Sequence, residues 1–242
     1  MKLRSSISLI LVLLSLINCT DSSEAQVRIE KRKIKNGNVY TFFYPQNCSI
    51  VLATQRPDPQ NKKYVFSVAA AYTDLQTTQP LDLLVHNGKV LQTNARVGFL
   101  DGVLTFINNT ISISHIAKGQ SPTAAQIEDV RERKGTLLLQ ELLVYDGKNL
   151  KGGGGSIFQR RALVELKDHR FAVIESISDY VTMKQFGDDL IEMGAWKAIY
   201  LDMGDWDEGW YKTNGKVVKI GNRRSQTARQ SNWLVFAKPT SQ

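Results

Sequence analysis

The densest group of side chains able to do chemistry lies in Leu201-Asp202-Met203-Gly204-Asp205-Trp206-Asp207-Glu208-Gly209. An apolar run, Ala198–Leu201, ends at Asp202, and Asp205, Asp207 and Glu208 follow closely. Carboxyls at the end of a strand are aimed by a rigid element, while the loop beyond adapts. Such a group can act as a base toward water or attack an electrophilic carbon. Asp205, Asp207 and Glu208 are also hard oxygen ligands on a glycine-flanked loop, a set able to hold Ca²⁺, although the spacing lacks the EF-hand pattern. A solvated acidic loop accounts for the same run. Trp206 and Trp210 could stack on a ring or belong to the core.

Two more groups stand apart in the chain. Arg160 carries a planar fork suited to paired phosphate oxygens; pairing with Asp202 across a sheet is the structural alternative. Asn232, ahead of an apolar run, can orient hydroxyls or phosphate, or cap a turn. Arg223, Arg224 and Arg229 make a basic patch that suits an anionic glycan or a solvated surface. His86, His115 and His169 are scattered without metal-ligand spacing.

Strand-like runs must position these residues. They are Val39–Tyr44, Ser49–Ala53, Tyr64–Ala71, Leu83–His86, Val103–Ile107, Ile111–Ile116 and Leu137–Tyr145, followed by Ala162–Leu166, Phe171–Glu175, Lys197–Leu201, Val217–Ile220 and Trp233–Ala237. Asn87-Gly88, Asp101-Gly102 and Asn108-Asn109 supply turns. Ser121-Pro122 is the expected cap and first-turn proline of a helix over Ala124–Arg133, in which Asp129 and Arg133 sit four apart. Thr182 and Gln185 have capping-box spacing ahead of Met183, Phe186, Leu190 and Met193, and Gly194 ends that second helix. Leu83–Lys89 and Leu142–Lys148 echo each other as apolar strands feeding tight turns, which two ordinary hairpins explain. Gly152–Gly155 reads as a joint, because no helix pattern follows it to make a phosphate cradle. The expected fold is one α+β domain with a mixed, mainly antiparallel sheet and two principal helices.

The chain has 242 residues, 42% of them hydrophobic and 22% charged, which excludes a disordered or collagen-like polypeptide. Its formal charge of +8 points to anionic partners. Lys2 and Arg4 precede an apolar run, Ile7–Ile17, too short for a spanning helix of about 20 residues, so residues 1–18 read as a secretory leader. Leu16-Ile17-Asn18-Cys19 resembles the bacterial lipoprotein box, and its Cys19 is the expected lipidation site and membrane anchor; a plain signal peptide cut further along is the alternative. Residues 19–36 read as a polar and basic tether and 37–242 as the folded domain. Cys19 and Cys48 cannot build a disulfide framework or a thiolate zinc site. The expected location is the bacterial cell envelope, which argues against nucleic acid as partner.

The order Gln159-Arg160-Arg161-Ala162, hairpin, capped helix, strand, Asp202-Met203-Gly204 and Ser231-Asn232 resembles the phosphodiester glycosidase domain family, whose members include the lysosomal uncovering enzyme and bacterial exopolysaccharide-associated proteins. The resemblance spans roughly residues 66–237. It implies hydrolysis of a sugar-1-phosphate diester without a cofactor, with Asp202, Arg160 and Asn232 in catalysis and Gly204, Gln140 and Tyr72 at the substrate. Asp202 would be base or nucleophile. Asp205 and Arg224 join the substrate contacts from the acidic loop and the basic patch. Met203, Asp205 and Trp206 stand where the family has two Gly and a Ser, and Ala69 where it has Asn. A glycan-binding protein of the same fold without activity is therefore the second function the residues fit.

Overall fold

The structure, a computed structural model, describes residues 24–203, 208–223 and 227–239. The first strands are β1 (Gln26–Lys33), β2 (Val39–Gln46), β3 (Ser49–Ala53) and β4 (Tyr64–Ala69). Next come β5 (Leu84–His86), β6 (Lys89–Gln92), β7 (Gly102–Ile107), β8 (Thr110–His115) and helix α1 (Ala124–Glu132). Then follow β9 (Thr136–Gln140), β10 (Leu142–Tyr145), β11 (Lys148–Asn149), β12 (Arg161–Leu166), β13 (Phe171–Ser176) and α2 (Met183–Glu192). The last elements are β14 (Ala195–Tyr200), β15 (Gly209–Thr213), β16 (Lys216–Ile220) and β17 (Trp233–Ala237).

These strands form three sheets, in the orders β1-β2-β13-β12-β14-β10-β11, β16-β15-β4-β17-β3 and β6-β5-β9-β7-β8. The expectation of an α+β domain built on a single mixed sheet is overturned. The molecule is mostly β, and the strand pairs of the described residues are antiparallel. The run Leu137–Tyr145 shows why. It reads as one strand, but Glu141 breaks it: the Glu141 amide donates to the side-chain Oε1 of Gln140 at 2.9 Å and the Leu142 amide to the Asp101 carboxylate at 2.8 Å. With those two donors turned away, β9 stays in the third sheet and β10 enters the first.

Side-chain alternation then sets the layers. Phe43, Leu163, Val173 and Ile199 leave one face of the seven-stranded sheet and meet Phe66, Leu234 and Phe236 of the second sheet and Leu84, Leu104 and Leu138 of the third. Phe42, Ala162, Val164 and Ile174 leave the other face and pack on Phe186, Leu190 and Met193 of α2. Thr182 caps α2 by accepting the Gln185 amide at 3.1 Å, as its position predicts. In α1 the cap is Thr123, in a reciprocal box with Gln126, rather than Ser121, while Asp129 and Arg133 pair at 3.3 Å.

Residues 26–33, read from the sequence as tether, form β1 and pair with β2 along their whole length. Their basic side chains cover aromatic rings: Arg28 sits 3.9 Å over Tyr44 and Arg32 4.1 Å over Phe42. The guanidinium heads thus lie on the ring faces, and that of Arg32 also donates to Glu30 at 2.6 Å and to the Tyr44 hydroxyl at 3.0 Å. The leader and Cys19 lie outside the described residues. Among the described residues no helix is long and apolar enough to cross a membrane.

Candidate active site

Asp202 lies two residues beyond Tyr200, the end of β14, and the chain there is held at three successive amides. Tyr200 donates to the Glu141 carbonyl at 2.8 Å, Leu201 to Arg161 at 3.0 Å and Asp202 to Ala70 at 2.8 Å. The residue is only 2% exposed, and its carboxylate accepts from the Met203 and Thr73 amides. The second carboxyl oxygen, Oδ2, has no hydrogen-bond partner among the described residues. Burial pushes the Asp202 carboxyl well above the ordinary carboxylate range, against the pull of those amides and of Arg161. A carboxyl whose proton affinity is raised suits a proton donor better than the base or nucleophile expected from sequence.

Asn232 is fully buried, and its side chain is spent on backbone. Oδ1 accepts the Ala71 amide at 2.7 Å, while Nδ2 donates to the Ala71 carbonyl at 3.1 Å and to Ser231 Oγ at 2.9 Å. The Ala70 carbonyl, which receives the Asp202 amide, also receives Gln140 Nε2 at 3.5 Å. Asn232 and Gln140 thus position the 70–71 segment on which Asp202 rests. Both side chains are fully buried and directed at the protein's own backbone.

Arg160 is likewise engaged inside the protein, at 3% exposure. Nε donates to the Val181 carbonyl at 3.0 Å, Nη1 to the Tyr200 hydroxyl at 3.3 Å, and Nη2 to the Ser156 carbonyl. It forms no ion pair with Asp202 among the described residues. Consecutive strand residues face opposite ways, so the next residue, Arg161, is the cation that Asp202 feels. Arg161 Nε donates to Glu175 Oε2 at 2.6 Å in a buried ion pair.

Tyr72 and Tyr200 complete the cluster, with ring centroids 6.2 Å apart. The Tyr72 hydroxyl donates to Glu141 Oε1 at 2.9 Å, and Lys151 Nζ holds Glu141 Oε2 at 2.9 Å. Burial raises the proton affinity of both phenols; the charge of Glu141 adds to this, and Arg160 opposes it at Tyr200. Arg161, Glu141 and Lys151 were not singled out from sequence. The Arg160-Arg161 doublet at a strand entrance was a usable signal for the first, and the charge interrupting Leu137–Tyr145 for the second.

Asp202, Tyr72, Gln140, Arg160 and Asn232 therefore gather around the end of β14. Gly204, Asp205, Trp206, Asp207 and Arg224 lie outside the described residues. Glu208 is ion-paired with Arg56, and the described residues hold no cluster of three or more His, Cys, Asp or Glu fit for a metal. Two concavities, one of about 150 Å³ beside Asn108 and Phe106 and one of about 1040 Å³ beside Lys212, are lined by none of the five gathered residues.

No family model matches the chain, and no curated protein matches it. The fold itself has counterparts among solved structures. It is similar to the zebrafish N-acetylglucosamine-1-phosphodiester alpha-N-acetylglucosaminidase catalytic domain auto-inhibited by pro-peptide, with a TM-score of 0.58 and 13% identity over 89% of this chain and 83% of that one. A hypothetical protein from Synechocystis is similar with a TM-score of 0.56 and 10% identity, over 90% of this chain and 64% of that one.

Proposed function

We propose that the chain hydrolyses a sugar phosphodiester, breaking the bond between the anomeric carbon and the bridging phosphate oxygen. The observation carrying this reading is the buried Asp202 carboxyl of raised proton affinity, with one oxygen unpartnered among the described residues, set near a strand end in a fold similar to the catalytic domain of the zebrafish enzyme. As the carbon–oxygen bond breaks, Asp202 gives its proton to the departing phosphate oxygen. Water bonds to the anomeric carbon and releases its own proton to solvent, from which the carboxylate is recharged. A phosphomonoester is already a competent leaving group, so the proton supplies part of the assistance and oxocarbenium stabilisation the rest. A GlcNAc phosphodiester, assayed for release of free GlcNAc, tests the reading. Asp202→Asn should slow release by at least about 100-fold, and unchanged turnover in that variant removes Asp202 from the chemistry.

A second reading is a glycan-binding protein of the same fold without turnover. It is favoured by one specific observation: the guanidinium of Arg160 and the amide of Asn232 are consumed by internal partners. Saturable binding of a phosphoglycan with no sugar released over long incubation would establish it.

A further inference from the structure

A groove lined by lysines lies at the other end of β4 from Asp202. The 1040 Å³ groove there is walled by the N-terminal part of β1, the 58–63 loop and the β15–β16 turn. Lys62, Lys212, Lys216 and Lys238 line it, against Glu24 as the acidic lining residue. Val65 belongs to the groove and Ala70 to the Asp202 site, which sets them roughly 17 Å apart along the strand.

Both walls are built rather than loose. In the 58–63 loop, Asp58 accepts the amide of Gln60 at 2.8 Å, and Asn61 Oδ1 accepts that of Lys63 at 2.9 Å. The loop is tied to the sheet by Lys212 Nζ, which donates to the Asn61 carbonyl at 2.8 Å, and by the Lys238 amide, which donates to the Lys63 carbonyl at 2.8 Å. The facing turn is a tight Asn214-Gly215 reversal with φ of 48° and 71°. Lys212 is therefore fixed where burial and the neighbouring Lys238 charge both lower its hold on a proton, with Asp58 opposing them. A bound anion relieves that crowding of positive charge.

We propose that this groove binds a phosphate-bearing glycan chain. Its lysines would take the phosphates, and the amides of Gln60 and Asn214 the sugar hydroxyls. Concave walls fit a chain better than a flat lipid surface. The site is independent of the hydrolase reading, because none of its residues touches the Asp202 cluster.

The full chain is titrated with four probes: a phosphorylated mannan, the same mannan stripped of phosphate, a single-stranded oligonucleotide, and vesicles containing anionic lipid. Saturable, salt-sensitive binding to the phosphorylated mannan is expected, weakened at least about tenfold by removing its phosphate. Lys212 also secures the 58–63 loop, so the decisive variant is Lys62→Glu/Lys216→Glu, two exposed positions. It should lower affinity at least about tenfold and flatten the salt dependence, with circular dichroism unchanged. Lys118→Glu/Lys148→Glu, the same change of charge at exposed positions elsewhere, should leave affinity within about twofold. Three results each overturn the proposal: equal binding of the stripped mannan, equal loss in the two double variants, or tighter binding of the oligonucleotide or vesicles. Release of GlcNAc from the phosphodiester is followed alongside, and its absence bears only on Asp202.

Discussion

The side-chain amide of Asn232 grips both backbone groups of Ala71, accepting from its N–H at 2.7 Å and donating to its C=O at 3.1 Å. The neighbouring Ala70 carbonyl receives the amide of Asp202 at 2.8 Å. One asparagine thus sets the height of the segment on which the candidate acid rests.

Truncating that clasp strands two buried backbone groups, only one of which, the Ala71 carbonyl, keeps another donor in Gln230 Nε2 at 3.3 Å. Asn232→Ala should cost roughly 2–3 kcal/mol in urea unfolding. Asn232→Asp keeps the acceptor and loses the donor, so it should fall between the two. A wild-type unfolding midpoint in Asn232→Ala would show that the amide serves a ligand instead.

The pH dependence follows from Asp202. Its folded-state proton affinity is raised above the unfolded value of about 3.9. The stability contributed by such a group is full below that unfolded value and is lost as pH rises through the folded one. Asp202→Asn is neutral throughout and escapes the loss. Measured from about pH 4 to pH 8, the melting temperature of the wild type should fall relative to that of the variant. A flat difference, or one of opposite sign, would mean that Asp202 ionises freely.

Arg160 offers a choice between two roles with opposite readouts. Lysine keeps the charge but cannot reach Val181, Tyr200 and Ser156 together. Arg160→Lys should therefore lower stability by roughly 2–3 kcal/mol. Full stability with a raised KM for the phosphodiester would instead make Arg160 a substrate contact.

The buried Arg161–Glu175 pair should show the asymmetry of such pairs. Glu175→Gln leaves a buried guanidinium without its carboxylate and should cost about 3–5 kcal/mol, whereas Arg161→Met/Glu175→Met should recover most of that. Loss of the Arg161 charge also removes a pull that lowers the proton affinity of Asp202. The pH at which stability declines should move up in the double variant.

Much of the local architecture was legible because it rests on backbone chemistry within a few residues. Ser49–Ala53 and Trp233–Ala237 are strands end to end. The Asn87-Gly88 and Asp146-Gly147 turns adopt the positive φ that their residues tolerate, and both echoing segments close as hairpins. β15 escaped notice because it follows the acidic run and is specified by a close approach: a Cβ on Gly209 would come within 2.7 Å of Val68 Cγ1 and 2.8 Å of Ile220 Cγ1. β1 escaped because alternating lysine and arginine reads as solvated until Phe42 and Tyr44 are found beneath the arginines.

The sequence by itself determined many of the strands, the hairpin turns and the cap of α2, and it brought Asp202 to the end of a strand. Each of these depends on side-chain periodicity or on a hydrogen bond to a near neighbour in the chain. The tertiary structure alone decided that one apolar run serves two sheets, that Asn232 and Arg160 are engaged by internal partners, and that burial raises the proton affinity of Asp202. Those outcomes depend largely on partners far away in the chain, such as Tyr200 for Arg160, 40 residues off, and Ala71 for Asn232, 161 residues off, and on the exclusion of water that only the packed sheets impose.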